Sequence, residues 1–337
     1  MKLAVGLIGG MFLVLVLSLA IWFGGGFQHQ DPQPRTQLTV RLDTDAVPQL
    51  VVRTLFATVR DGTREPRIGY ASIVPAGDAV ELTVLDGVDR DQALARLREL
   101  SRQGSTGGAE TFVVADTGGT VLRLTPTPAA IAEGMVRTVD QTIEVLERRI
   151  DSLRLKATFN REGDDSIVIA VPFQPDTTRL KALIVAPGKL AFRYVDTSMN
   201  VDQAKRGEMP PQTEILQDQK GTPYLVEKRV AMSGDNLTDA QPGFDQRTNE
   251  PIVTFRFNAV GAREFARVTG EKVGGPMAVV LDGVVLAAPI IREPILGGTG
   301  QISGNFTVAS ANDLALLLRS GALPAPLTII EERTIEP

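Results

Sequence analysis

Very few side chains in this chain of 337 residues are of the types that carry covalent or metal chemistry. There is no cysteine, which excludes disulfides, thiol nucleophiles and cysteine-based zinc sites. The single histidine, His29, follows an apolar segment within Gly-Phe-Gln-His-Gln, and we interpret it as an exposed residue at a membrane interface. The sequence therefore predicts no catalytic residue, no metal site and no cofactor.

Two groups of acidic residues have the spacing that acid–base catalysis would need. They are Asp164-Asp165 and the pair Asp235 and Asp239. Each lies beside glycine or asparagine, where an aspartate commonly accepts hydrogen bonds from the backbone of a turn. We interpret them as turn residues, and we interpret the charged pairs Arg148-Arg149 and Glu331-Glu332 as solvated faces.

A glycine-rich segment at residues 297–304 resembles a phosphate-binding loop at first sight. Such a loop requires Gly-Lys-Ser/Thr opening a helix, and no lysine follows here. Glycines that can take a positive φ suit a hinge or a tight crossing of two chain segments instead. The candidate hinge residues are Gly297, Gly298, Gly300 and Gly304.

The charge and the apolar N-terminus indicate a membrane-anchored protein that does not bind nucleic acid. The net charge is −5, with lysine and arginine scattered rather than clustered on one face. The apolar run from Leu3 to Phe23 would form a helix roughly 31 Å long, enough for one bilayer crossing. Lys2 before it places the N-terminus in the cytoplasm. We favour this anchor over a cleaved signal peptide, although Ser18-Leu19-Ala20 could be a cleavage site.

Hydrophobic periodicity divides the exported part into two units of the same order, after a polar linker at residues 28–37. The first unit, residues 38–118, reads strand–helix–strand–strand–helix–strand, the βαββαβ order of a ferredoxin-like unit. The second begins with residues 119–175 and finishes only with residues 305–337. Residues 176–304 are therefore an insertion. The predicted fold class is α+β: a transmembrane helix and two ferredoxin-like units, the second interrupted by an α+β subdomain.

Local signals support several of these elements. Thr127, Asn258 and Thr307 each precede a helical pattern and are predicted N-caps. Asp282-Gly283 between two apolar runs predicts a two-residue hairpin turn. The polar, proline-bearing stretch at residues 201–222 is predicted to be a mobile loop.

Several segments resemble the SecD family of bacterial protein-export subunits. The similarity is carried by the helix at 139–151, the strand pair at 163–172, and the segments 237–247, 255–264, 290–306 and 311–327. It implies a periplasmic P1 region, with a head that swings relative to a base and contacts preprotein. The partners implied are SecF, SecYEG-type translocase subunits and translocating preprotein. The head residues expected to contact preprotein are Phe244, Phe255, Phe257 and Phe265.

The resemblance has three departures. The family's Gly-Leu-Asp-Leu-x-Gly-Gly motif after the first span is replaced by Gln28-His-Gln-Asp-Pro-Gln-Pro-Arg35, and the expected further spans are not in this sequence. Arg154 stands where the family often has glycine, and arginine is expected to resist a left-handed helix end. Because Leu3 to Phe23 holds no acidic residue, this chain alone is not expected to conduct protons.

We expect a SecD-like, non-enzymatic component of the Sec machinery. It would lie in the bacterial inner membrane with its bulk in the periplasm, and would bind preprotein or translocase and assist late translocation. The alternatives are a truncated or non-functional SecD copy, or a periplasmic adaptor of an efflux system of the RND type. An enzyme with a carboxylate site comes last.

Overall fold

A computed structural model of the chain describes residues 34–64, 68–85, 90–104, 109–116 and 119–336. None of the helices in these ranges is long and apolar enough to cross a membrane. The predicted membrane segment, Leu3 to Phe23, and His29 lie outside the described residues.

The helices and the strands of the described residues are each numbered in chain order. The helices are α1 (Val47–Gly62), α2 (Arg90–Gln103), α3 (Pro128–Ser152), α4 (Thr178–Val185), α5 (Ala259–Glu271) and α6 (Val308–Ser320), with a short turn of helix at Val201–Gln203. The strands are β1 (Arg35–Leu42), β2 (Tyr70–Ala76), β3 (Ala79–Val84), β4 (Phe112–Asp116), β5 (Val121–Pro126), β6 (Thr158–Glu162), β7 (Ser166–Pro172), β8 (Leu190–Tyr194), β9 (Thr213–Asp218), β10 (Pro223–Glu227), β11 (Met232–Ser233), β12 (Leu237–Phe244), β13 (Pro251–Phe257), β14 (Met277–Leu281), β15 (Val284–Ala287), β16 (Thr299–Ser303) and β17 (Leu327–Ile335).

Two four-stranded sheets form the N-terminal unit and the base. The N-terminal unit has the strand order β2-β3-β5-β4, covered by α1 and α2. The base has the order β17-β1-β7-β6, with every neighbouring pair antiparallel. Its core joins Leu38 and Val40 of β1 to Leu146 and Ile150 of α3, all at most 1% exposed.

The predicted membership of two strands is wrong, because β1 and β5 are exchanged between the sheets. Segment 38–42 was expected to pair within the first unit, but β1 lies between β17 and β7 of the base. Segment 120–124 was expected to open the second unit, but β5 lies between β3 and β4. Alternating apolar residues identify a strand, whereas its partners are set by long-range packing that periodicity does not encode.

The inserted head is built from two sheets that share one core, and the larger sheet also packs a second, smaller cluster that includes Val226, Ala278, Val280 and Val285. A six-stranded sheet has the order β10-β9-β15-β14-β8-β11, and a three-stranded sheet has the order β12-β13-β16. The predicted hairpin turn is confirmed: Asp282 and Gly283 between β14 and β15 both have positive φ, 51° and 84°. The predicted mobile loop at 201–222 is wrong, because β9 lies within it and pairs with β10 and β15. The side chains of β9 are mostly polar, which conceals a strand that lies between the edge strand β10 and β15.

Three helices begin with the predicted capping hydrogen bonds, and the end of α3 has an arginine in a left-handed conformation. Side-chain oxygens of Thr127, Asn258 and Thr307 accept hydrogen bonds from the backbone three residues on, at 3.2, 2.9 and 3.1 Å. This confirms the three predicted N-caps. Arg154 after α3, by contrast, does adopt a positive φ of 59°. Arginine therefore does occupy the left-handed position there, and the expectation that it does so at a cost that glycine would avoid stays a prediction.

Two helices connect the base to the head. Helix α4, which was not predicted, packs Leu180 and Ile184 into the base core, and its Lys181 donates to Glu332 of β17 at 2.8 Å. Helix α6 was assigned to the base alone, yet it contributes Leu314 and Leu318 to the head core. The chain therefore passes from base to head after α4 and returns to the base after α6.

Candidate functional site

The four phenylalanines proposed as preprotein contacts fall into two groups. Phe255, Phe257 and Phe265 are between 2% and 5% exposed and lie in the head core. They surround Phe192, which sequence analysis missed, with ring centroids 5.4 to 5.9 Å from it. Aromatic rings at these distances stabilise a core through edge and tilted contacts. Their burial leaves no ring surface for a polypeptide in this conformation.

Phe244 is the member of the group that faces solvent. It ends β12, pairs with Pro251 of β13, and has a side chain that is 54% exposed. A large exposed aromatic ring at the end of a strand is suited to contact with an extended, partly apolar chain.

The four candidate hinge glycines lie within and beside β16 of the head. At two of them, Gly298 and Gly300, a neighbouring residue lies too close to leave room for a side chain. A Cβ on Gly300 would stand 2.3 Å from Cζ of Phe255, and a Cβ on Gly298 would stand 2.4 Å from Cβ of Ala262. Gly298 also has a φ of 61°. A Cβ on Gly297 would make an ordinary contact, 3.7 Å from Oγ1 of Thr299, and one on Gly304 would stand 3.1 Å from the main-chain oxygen of Leu286. These contacts explain Gly298 and Gly300 as tight crossings, and their role as a hinge stays a prediction.

Gly298→Ala is expected to lower the free energy of unfolding of the head by about 1–3 kcal/mol. The new methyl group would meet the backbone of α5 at Ala262, and alanine would be strained at this positive φ. Thermal denaturation and hydrogen exchange of β13 would measure the loss. Gly297→Ala is the matched control, since its nearest neighbour would be 3.7 Å away. Equal stability of the two variants would contradict the tight-crossing explanation.

The junction of head and base is organised by Arg149, which the sequence analysis placed on a solvated face. That interpretation is wrong: Arg149 is fully buried, at 0% exposed. Its guanidinium donates hydrogen bonds to the segment that leads from the base into the head and to the segment that leads back to the base. The acceptors are the main-chain oxygens of Leu183 (2.7 Å), Ile184 (3.2 Å), Ala186 (2.6 Å) and Gly321 (3.2 Å), and Oγ of Ser320 (3.3 Å).

A sequence signal for this burial existed. Arg149 lies four residues after Val145 and three after Leu146, on the apolar stripe of α3 that faces the core. The adjacent Arg148 lies off that stripe, and its side chain is 51% exposed. Burial lowers the pKa of Arg149 to about 10, with the nearby carboxylate of Asp282 acting in the opposite direction. The guanidinium therefore remains charged at neutral pH.

Two chain segments join the base to the head, and we call them the first crossing (residues 186–189) and the second crossing (residues 321–326). Asp282, from the head hairpin, accepts hydrogen bonds from the backbone of Gly188 (3.0 Å) and Lys189 (2.7 Å). The backbone of Leu323 donates to the main-chain oxygen of Pro187 at 2.8 Å, which ties the two crossings together. Two clefts of about 520 and 600 Å³ adjoin the crossings, and Lys189 and Leu323 line both.

The acidic side chains considered as catalytic pairs in the head make local hydrogen bonds. Among the described residues there is no group of His, Asp and Glu able to hold a metal ion. Asp235 accepts from the hydroxyl of Ser233 and Asp239 from the amide of Gln241, each at 2.8 Å, so both serve local turn and strand geometry.

Comparison with known proteins assigns the family. Residues 212–325 match the family model described as SecDF, P1 head subdomain, and residues 139–197 match the N-terminal P1 domain of protein translocase subunit SecDF. The first match covers the head from β9 through α6 and most of the second crossing. The other runs from the middle of α3 through the base hairpin and α4 to just beyond β8. The chain belongs to the SecD/SecDF family.

Several relatives are similar along most of the chain. The SecD of Rickettsia bellii (strain RML369-C) is 37% identical over 89% of this chain, and that of Magnetococcus marinus (strain ATCC BAA-1437 / JCM 17883 / MC-1) is 35% identical over 95%. Both are named protein translocase subunit SecD. The chain spans 57% and 62% of the length of these two curated relatives.

A solved SecDF structure, described as that of a membrane component that enhances protein export, is also similar. It is 31% identical, the similarity covers 59% of this chain and 94% of the solved one, and the TM-score is 0.48.

Proposed function

We propose that this SecD-family chain is an extracytoplasmic component of the Sec protein-export machinery. It binds translocating preprotein or the translocase through its head and assists late translocation without covalent chemistry. The observation that carries the proposal is the P1 head match over residues 212–325, because it covers most of a folded unit that has its own core. A separate head joined to a base by two crossings suits a device that holds a chain in transit.

The same proposal includes the cellular location and the partners of the chain. Anchoring through Leu3 to Phe23 would place the N-terminus in the cytoplasm and the bulk of the chain in the periplasm of a bacterium. SecF and SecYEG-type translocase subunits are the proposed partners. A net charge of −5 without a basic cluster is compatible with binding proteins rather than nucleic acid.

Site-specific photocrosslinking from Phe244 is expected to capture the export substrate. With a crosslinking amino acid in place of Phe244, a secretory protein stalled during export should form an adduct with this chain. The reason is that an exposed aromatic ring, 54% accessible, contacts apolar side chains of an extended polypeptide. Adducts would be detected by immunoblotting for the substrate.

Phe255 is the matched control, since it is the same residue type in the same sheet but only 3% exposed. A crosslinker there should give no adduct with the substrate in chains that fold normally. If the Phe244 position formed adducts with neither substrate nor channel subunits, the proposed function would fail.

A further inference from the structure

We propose that Arg149 is the positioning residue that locks the head onto the base, and that the head pivots at Gly188 and Gly321. This places the pivot at the two crossings rather than in the glycine-rich segment 297–304. The inference rests on the proposed function in one respect, that the head binds preprotein in transit. It adds that the head changes its orientation relative to the base while it does so. The lock itself is argued from contacts within the chain.

The first step is that one side chain holds both crossings. The guanidinium of Arg149 binds the end of α4 through the main-chain oxygens of Leu183 and Ala186, where the chain leaves for the head. It also binds Ser320 and Gly321, where the chain returns. Because Arg149 belongs to the base helix α3, its bonds to Ala186 and Gly321 fix the first and the second crossing to the base, and its bonds to Leu183 and Ser320 hold the ends of the two helices that flank them.

The second step is that arginine is specifically suited to this place. A planar guanidinium offers five N–H donors in a fixed fork, whereas a lysine ammonium offers three around one point. Here the acceptors lie on two different segments. Nη1 donates to the segment 183–186, whereas Nη2 and Nε donate to Gly321 and Ser320. Removing the guanidinium would leave several buried main-chain oxygens without a donor, which favours separation of the segments.

The third step concerns the two glycines. Gly188 has a φ of 72° and Gly321 a φ of 85°, the left-handed region that favours glycine. A Cβ on Gly188 would stand 3.0 Å from Nη2 of Arg149 and 3.3 Å from the main-chain oxygen of Gly321. The crossings therefore lie side by side against the guanidinium, each with a residue that can change backbone conformation at little steric cost.

The fourth step is that the head side of the crossings is held by a different group. Asp282 accepts from the backbone of Gly188 and Lys189, and its own N–H donates to the main-chain oxygen of Lys189 at 3.1 Å. Gly188 thus lies between an anchor in the base and an anchor in the head. Clefts of about 520 and 600 Å³ adjoin the crossings on this side.

Distance measurement between two spin labels tests the lock. The chain contains no cysteine, so Gln246→Cys in the head and Asn160→Cys in the base, both exposed, give a clean labelled pair in the full 337-residue chain. In the Arg149→Met variant the distance distribution should become about twofold broader, because the crossings lose their common anchor. Circular dichroism would establish that the variant is folded.

Arg148→Met is the matched control, since the neighbouring guanidinium donates to the main-chain oxygen of Ser320 (3.0 Å), the last residue of α6, and does not join the two crossings. It should leave the distribution unchanged. If Arg149→Met does not fold, Arg149→Lys takes its place with a smaller broadening expected. A folded Arg149 variant whose distribution matches that of Arg148→Met would overturn the lock.

Two alanine variants test the position of the pivot. Gly321→Ala and Gly274→Ala both place alanine at a positive φ, 85° and 87°, and neither new methyl group would have a neighbour within 4 Å. Gly321→Ala should shift the mean distance between the labels, whereas Gly274→Ala, inside the head, should not. Equal distributions would overturn the pivot. Neither measurement involves export, so the outcome is independent of the crosslinking result from Phe244.

Discussion

Phe192→Ala is expected to lower the free energy of unfolding of the head by about 3–5 kcal/mol, the cost of emptying a buried aromatic position. Phe192 is 1% exposed, and its ring lies 5.7 Å from that of Phe255, 5.9 Å from Phe257 and 5.4 Å from Phe265. The cavity would therefore open at the point where the two head sheets and α5 meet. Such a loss is comparable with the whole stability of a small domain.

Hydrogen exchange followed by mass spectrometry would localise this loss. Amides of β8 and β13 in the head should lose protection, whereas amides of β1 and β7 in the base should keep theirs. Phe244→Ala is the matched control: the same change at an exposed position should cost no more than about 0.5 kcal/mol. Equal effects of the two variants, or loss of protection in the base alone, would contradict the assignment of Phe192 to the head core.

Leu38→Ala is expected to lower the free energy of unfolding of the base by about 2–5 kcal/mol. Leu38 is 0% exposed in β1, an inner strand of the base sheet, and packs in the same core as Leu146 and Ile169. Amides of β7 should exchange faster in this variant. The exchange rates of amides in β3, in the N-terminal unit, should change less than those of β7.

Leu122→Ala is the reciprocal variant, because Leu122 is also 0% exposed but lies in β5 of the N-terminal unit. It should expose the amides of β3 and leave those of β7 protected. The two variants together test the exchange of β1 and β5. Consecutive units would give the opposite result, with Leu38→Ala affecting β3 and Leu122→Ala affecting β7.

Much of the local structure was predictable because its causes are local. The N-caps at Thr127, Asn258 and Thr307 depend on a side-chain oxygen meeting an N–H three residues on. The turn at Asp282-Gly283 depends on two residues that accept positive φ. Strand β9 and helix α4 escaped prediction for the converse reason, since α4 is short and β9 is mostly polar, and both are held by neighbours distant in sequence.

The candidate site was harder to predict than the elements that form it. Phe244 and the three buried phenylalanines look alike in sequence, and only burial separates a surface contact from a core. Arg149 was interpreted from its charge as a solvated residue, although its position on the apolar stripe of α3 indicated burial. A charged residue on such a stripe can be accommodated when acceptors converge on it, and those acceptors come from α4 and from the end of α6.

The sequence by itself determined the absence of cysteine chemistry, the α+β composition, the helix ends and the resemblance to SecD. These properties follow from residue type and from spacing over a few positions. Only the tertiary structure decided which sheet each strand joins, that the phenylalanines at 255, 257 and 265 are core residues, and that Arg149 binds both crossings. Each of these depends on contacts between segments far apart in the sequence, such as Arg149 and Gly321, which are 172 residues apart, or Arg35 and Ile335, which pair between β1 and β17. Sequence periodicity does not encode which distant segments meet.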